Sequence, residues 1–172
     1  DLNGTVQQVS GLLTDTATPG SGGVITSAAA TGQLTINQDN NERSYAGSFT
    51  GQLSVVRSGA NTFNLVSASS STGAYLFNGS TTVLQGSGAL TGVTSVGVNY
   101  ATLTLDTQAW GLGDRLADSA GVTLRGGALN FLGRAAMAST EALGALSVAQ
   151  GWNVLTVTAG GTGINSAELS LA

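Results

Sequence analysis

The most constraining feature of this chain is a run of short stretches in which apolar residues alternate with Ser, Thr, Asn or Gln. Gly, Asn, Ser or Asp interrupts the run every few residues. Gln33-Leu34-Thr35-Ile36-Asn37, Gln52-Leu53-Ser54-Val55-Val56, Thr62-Phe63-Asn64-Leu65-Val66 and Thr102-Leu103-Thr104-Leu105-Asp106 are early instances. Val122-Thr123-Leu124, Ala128-Leu129-Asn130-Phe131-Leu132, Ala145-Leu146-Ser147-Val148, Leu155-Thr156-Val157 and Glu168-Leu169-Ser170-Leu171 continue the pattern to the far end. A period of two places successive side chains on opposite faces of an extended strand, so each stretch offers one apolar and one polar face. Helical periodicity is nearly absent.

Short strands at close spacing build either a β-sandwich or barrel, or a β-solenoid. Three features favour the solenoid. Triplets such as Leu-Thr-Leu and Leu-Ser-Val recur along the whole chain, as stacked coils require. The turn signals are dense and small, as at Asn3-Gly4, Ser21-Gly22-Gly23, Asn78-Gly79-Ser80, Gly126-Gly127 and Gly160-Gly161, and these residues accept the positive φ of tight corners. Large aromatics, on which sandwich cores lean, are few. The expected fold is all-β, a parallel β-helix over residues 1–172 as one segment. At roughly 20 residues per coil, about eight coils would make a rod of about 40 Å at ~4.8 Å per strand spacing. Two segments break the pattern. Gly113 to Asp118 suggests one helical turn with Asp114 near its start, and the Ala-rich stretch Ala135 to Leu143 a short helical excursion or loop. Asp15 to Gly23, with the sole proline Pro19, and Gln38 to Arg43 read as loops.

Composition narrows the function classes. The chain contains no Cys and no His, and all five of its basic residues are Arg (Arg43, Arg57, Arg115, Arg125 and Arg134). A thiol nucleophile, an imidazole base, a Schiff-base lysine and Cys- or His-ligated zinc, iron–sulfur or haem are therefore excluded. The expectation is a protein that is not an enzyme and carries no cofactor and no metal. The five Arg are scattered and the net charge is −4, so the clustered basic footprint of a nucleic-acid binder is missing, as is one for an anionic membrane. No stretch approaches the ~20 apolar residues of a membrane-spanning helix, so membrane insertion by this segment is not expected. Because the chain opens on Asp1 without an initiator Met, it is expected to be a processed product or an interior piece of a longer protein. With no amphipathic helix to cover either end of the rod, the expected neighbours are further copies or repeats stacked end to end.

The residues also resemble a known family. Asp1-Leu2-Asn3-Gly4, Gln8-Val9 and Gly11-Leu12 match the opening pattern of the bacterial autotransporter-associated β-strand repeat proteins. Leu34-Thr35-Ile36, Tyr45-Ala46-Gly47 and Gly51-Gln52-Leu53-Ser54-Val55 match the next part of the family's pattern. Val56-Arg57-Ser58-Gly59-Ala60-Asn61-Thr62-Phe63-Asn64-Leu65 resembles its core signature. The usual sequel is degenerate over Ser71 to Thr81. The later half, from Asp114-Arg115-Leu116 and through Val122 to Leu129, is similar to long members of the group. The resemblance implies a right-handed parallel β-helix within a large exported protein, at the cell surface or outside the cell, serving adhesion, aggregation or surface architecture. Some rods of this kind carry enzymatic insertions; none of that size is visible here.

Few residues stand out as a site. Asp114 and Asp118 flank Arg115 in the densest polar cluster, which could bind Ca²⁺ or act on a sugar, although solvating one helical turn is the plainer reading. A polysaccharide-active β-helix, the competing function, would have to draw on Asp106, Asp114, Asp118 and Arg125. Gly111-Leu112-Gly113-Asp114 is only a single faint copy of a calcium-roll repeat. Asn3-Gly4-Thr5 and Asn78-Gly79-Ser80 fit a glycosylation acceptor but read as turns. The best candidates for contact with a surface glycan are Trp110 and Trp152, by stacking on a sugar if exposed. A third reading is a filament subunit whose open ends stack head to tail.

Overall fold

A computed structural model describes residues 1–38, 41–110, 112–163 and 165–172. The strands are β1 (Val6–Val9), β2 (Val24–Asn37), β3 (Arg43–Tyr45), β4 (Ser48–Ser58), β5 (Phe63–Leu65) and β6 (Ala68–Ser69). Next come β7 (Tyr75–Asn78), β8 (Thr81–Leu84), β9 (Ala89–Leu90), β10 (Ser95–Asn99), β11 (Thr102–Asp106) and β12 (Gly121–Arg125). The last are β13 (Ala128–Ala135), β14 (Ala138–Leu143), β15 (Leu146–Gln150), β16 (Val154–Gly160) and β17 (Ser166–Leu171). Among the described residues there is no helix. Every alternating stretch of the sequence falls on or within one residue of a strand.

One sheet has seven strands in the order β1-β2-β4-β7-β10-β12-β15, and a second has six in the order β16-β13-β11-β8-β5-β3. All pairings are parallel. Successive strands of one sheet belong to successive coils, so the chain is a β-solenoid, here of about seven turns. A shorter third side carries β6 beside β9, a bridge between Leu90 and Leu116, and β14 beside β17. Coils are not uniform. Val55 stands beside Tyr75, 20 residues on; Val96 beside Val122, 26 on; and Val6 beside Gln33, 27 on. The longer coils are why seven rungs form where a uniform 20 residues would make eight, and the rod is correspondingly nearer 30 Å at ~4.8 Å per spacing.

The core results from alternation plus stacking. In the seven-stranded sheet Leu34, Val55, Tyr75, Val96 and Val122 form one inward column. In the six-stranded sheet Tyr45, Leu65, Leu84, Leu105 and Phe131 form another. Both columns are buried, each large side chain contributing about 1.5–3 kcal/mol relative to exposure. Tyr45, Phe49, Tyr75 and Phe77 make a chain of ring contacts with centroids 5.3, 6.3 and 6.2 Å apart. Burial raises the phenols of Tyr45 and Tyr75 above their ordinary value, and each keeps a partner: Tyr45 donates to the carbonyl of Gly23 at 2.7 Å, and Tyr75 lies 2.6 Å from the Ser71 hydroxyl. Aromatics are thus few but concentrated.

Two expectations need correction. Gly113 to Asp118 is not a helical turn: the chain passes through positive φ at Asp114 and a bend at Arg115, and Leu116 bridges to Leu90. Ala135 to Leu143 is not a helical excursion either. It ends β13, turns at Ala136 (φ +56°) and Met137, and forms β14. Alanine's intrinsic preference for helix is overridden by the ladder to β17 and by burial of Ser139, Glu141 and Leu143. The loop expected over Asp15 to Gly23 is present. Within the loop expected over Gln38 to Arg43, residues 39 and 40 lie outside the described residues.

Candidate functional site

Two corners of the solenoid carry the chemistry. The first joins the seven-stranded sheet to the six-stranded one, and its turns are short: residues 79–80, 100–101 and 126–127 separate the flanking strands. Register places Gly59, Gly79, Tyr100, Gly126 and Gly151 one above another. Each bends the chain with positive φ, at +99°, +68°, +46°, +61° and +75° respectively. Four of the five are glycine, for which this region carries no Cβ penalty. The fifth, Tyr100, holds a bulky side chain in a backbone conformation that costs roughly 1–2 kcal/mol for an L-residue. That conformation does not serve to bury the ring, which is 68% exposed. The ring leans over Gly126, where an added Cβ would come within 2.7 Å of Cε1, and the Gln150 amide lies 3.5 Å from its hydroxyl.

Beside Tyr100 runs an open groove of about 450 Å³ along the corner, floored by Gly126 and Gly127 and edged by Ser80, Thr81 and Thr102. Trp152, 85% exposed, stands at its far end. The groove is lined by no carboxylate and no guanidinium. Below it, the amide of Asn99 donates to the side-chain carbonyl of Asn78 at 3.1 Å, and the Ser58 hydroxyl lies 3.3 Å from the side-chain carbonyl of Asn37, a polar ladder along the same edge.

The second corner, after the six-stranded sheet, has longer and unequal connections, and charged side chains tie it together. Arg115 is fully buried. Its guanidinium donates to the carbonyl oxygens of Gly88 and Gly86 in the coil below. Glu141, also buried, comes from the coil above. Its Oε2 accepts from the backbone N–H of Arg115 at 2.8 Å and its Oε1 from that of Leu116 at 2.8 Å. The carboxylate thereby takes the place of the strand that would otherwise satisfy those donors. Desolvation is the largest influence on both groups. It pushes the Glu141 carboxyl up to about 7 against the pull of its two N–H donors. It brings Arg115 down to about 10, opposed by the negative charges of Asp106 and Glu141. A second buried guanidinium, Arg57, occupies the inward column between Ile36 and Phe77 and donates to the carbonyls of Gly59 and Gly79; its Nε and Nη2 have no partner among the described residues.

The polar residues singled out from sequence do not converge. Asp114 (φ +54°) and Asp118 are exposed while Arg115 between them turns inward. Asp106 is half-buried and accepts from the Gln108 N–H at 2.9 Å. Arg125 is exposed at the end of β12, at the opposite end of the six-stranded sheet's strands from Asp106. The faint calcium-roll match begins at residue 111, which lies outside the described residues. Among the described residues no group of three or more acidic side chains is placed to hold a metal ion. Asn3-Gly4 is a turn, and Asn78 ends β7 before the bend at Gly79-Ser80.

Trp110 and Trp152 are both exposed, at 60% and 85%, but they stand at different corners. Trp110 lies beside Pro19, Val66, Gln85 and Asp106; Trp152 shares its groove with Tyr100. Sequence reasoning passed over Tyr100 and Glu141. A signal for Tyr100 existed in the internal alignment of Phe77-Asn78-Gly79-Ser80, Val98-Asn99-Tyr100-Ala101 and Leu124-Arg125-Gly126-Gly127, where one tyrosine replaces the corner glycine. Glu141 gave none, since its partners lie a coil away. No family model, curated protein or solved structure matches the chain, and no helix among the described residues is long and apolar enough to cross a membrane.

Proposed function

We propose that this chain is a non-catalytic structural and adhesive segment of a bacterial β-solenoid fibre, displayed on the cell surface or outside the cell. The observation that carries this reading is the unbroken parallel stack of coils around continuous apolar columns, with buried charge spent on joining coils instead of facing a cleft. Repetition of this kind gives a stiff, elongated body whose length scales with the number of coils. The resemblance to autotransporter-associated repeat proteins supports the exported location. Electron microscopy of the mature protein on its native cells, labelled with antibody to this chain, is expected to show extended surface fibres. Compact, separate particles would overturn the proposal.

A second reading, a subunit that stacks head to tail, is favoured by the last rung. Val148, Leu155 and Val157 continue the inward columns above Leu124, Leu129 and Phe131, yet all three are exposed, Val148 at 65%. Covering such a face with another copy would continue the core. Sedimentation of the purified chain is expected to show concentration-dependent growth on this reading; a monomer at millimolar concentration would end it.

A further inference from the structure

The groove at the first corner carries an inference of its own. Five stacked positions bend the chain through the left-handed region, and at one of them a tyrosine stands where glycine suffices. Tyr100 is 68% exposed, so its contact with Gly126 offsets little of a backbone cost of roughly 1–2 kcal/mol. The residue holds an aromatic surface at a fixed place beside a groove. Trp152 presents a second aromatic surface at the same groove, and their backbones stand two coils apart, about 10 Å along the rod. Between them the floor is Gly126 and Gly127, whose lack of side chains leaves room for the Tyr100 ring, packed over Gly126, to form one wall of the groove. The rim offers the hydroxyls of Ser80, Thr81 and Thr102.

We infer that this groove binds a neutral, extended oligosaccharide lying along the rod axis. The apolar C–H faces of sugar rings would rest on Tyr100 and Trp152, and their hydroxyls would exchange hydrogen bonds with the threonine and serine rim. The pairing of aromatic platforms with a few polar groups in a cavity of this size is the ordinary composition of a small-ligand site. Absence of any carboxylate or guanidinium from the lining selects an uncharged chain over an acidic one. Because groove and ladder run with the coils, a straight glycan suits them better than a coiled one. The inference deepens the adhesive reading and rests on it for its biological setting. The two fail separately, since one is read by ligand binding in solution and the other by microscopy.

The test is titration of the 172-residue chain, monitored by tryptophan fluorescence and calorimetry, with neutral hexasaccharides (β-1,4-glucan, β-1,4-xylan, β-1,4-mannan, β-1,3-glucan and α-1,4-glucan) and with hexagalacturonate. Saturable binding of at least one neutral β-linked hexamer is expected, weakened at least tenfold by Trp152→Ala and by Tyr100→Gly and unchanged by Trp110→Ala. Tyr100→Gly is also expected to keep or raise the melting temperature, since it restores the residue the corner favours; this separates a binding role from a structural one. Failure of all neutral hexamers to bind, or binding of the acidic one alone, would overturn the inference. So would a Tyr100→Gly variant that melts lower while binding normally. Self-association abolished by Trp152→Ala, without glycan binding, would show the groove to be a contact between copies and would equally sink it.

Discussion

The two corners solve the same problem in opposite ways. Each must turn the chain out of one sheet and satisfy the backbone groups that the turn frees. At the corner bearing Tyr100 the connections are two residues long in three successive coils, so backbone stacks on backbone and glycine does most of the work, with the buried Arg57 guanidinium donating to the carbonyls of Gly59 and Gly79. At the corner bearing Arg115 the connections vary, Leu116 finds a bridge on only one side, and buried side chains supply what the backbone lacks. Constant length yields a regular, open groove. Variable length draws in buried side chains from neighbouring coils to satisfy the backbone.

The sharpest way to break this contrast is to remove Glu141. Glu141→Ala leaves two buried N–H groups without acceptors and removes one of the two negative charges that favour the Arg115 cation, so a loss of about 3 kcal/mol is expected in denaturant unfolding. Next in size is Gly126→Ala, which combines positive φ with a Cβ driven against the Tyr100 ring; about 1–2 kcal/mol is expected. In the double variant with Tyr100→Gly the steric part should be relieved, and the non-additivity of the cycle measures it.

A different kind of effect comes from acidity. The carboxyl of Glu141 holds its proton up to about pH 7 in the folded chain, above the ordinary value of 4.5. The folded state therefore binds the extra proton between those values. The associated stability is fully present below pH 4.5 and is lost as pH rises through about 7. Denaturation midpoints are expected to decline as the pH is raised across this window, and Glu141→Gln is expected to flatten that slope whatever it does to absolute stability. The least effect is expected from Trp152→Ala, within about 0.5 kcal/mol, because the ring is 85% exposed.

The same contrast explains which features were legible in the sequence. Strands were readable because alternation is local: Leu103 and Leu105 face inward for the same reason wherever β11 lies in the stack. Coil number, about seven, came close to the roughly eight expected; the small difference arises because longer connections, such as that between β11 and β12, lengthen individual coils without changing their strands. β14 was missed because Ala-rich sequence is intrinsically helical, whereas its strand state comes from a ladder to β17 formed some 28 residues later. Tyr100 and Glu141 gain their meaning only from register, Tyr100 by standing among glycines and Glu141 by reaching two amides of the preceding coil. Asp114 and Asp118 drew attention by proximity along the chain, but proximity between coils is what matters here.

Coils touch mainly their immediate neighbours, at separations of 19 to 28 residues, and this sets how the molecule comes apart. Cohesion is a sum of nearest-neighbour terms, so loss of structure should advance from a free edge inward like a zip, not as one global event. Amide hydrogens should exchange in a gradient along the axis, fastest in β15 and β16, slowest around β7 and β10. A pulling force along the axis would meet the coils one at a time.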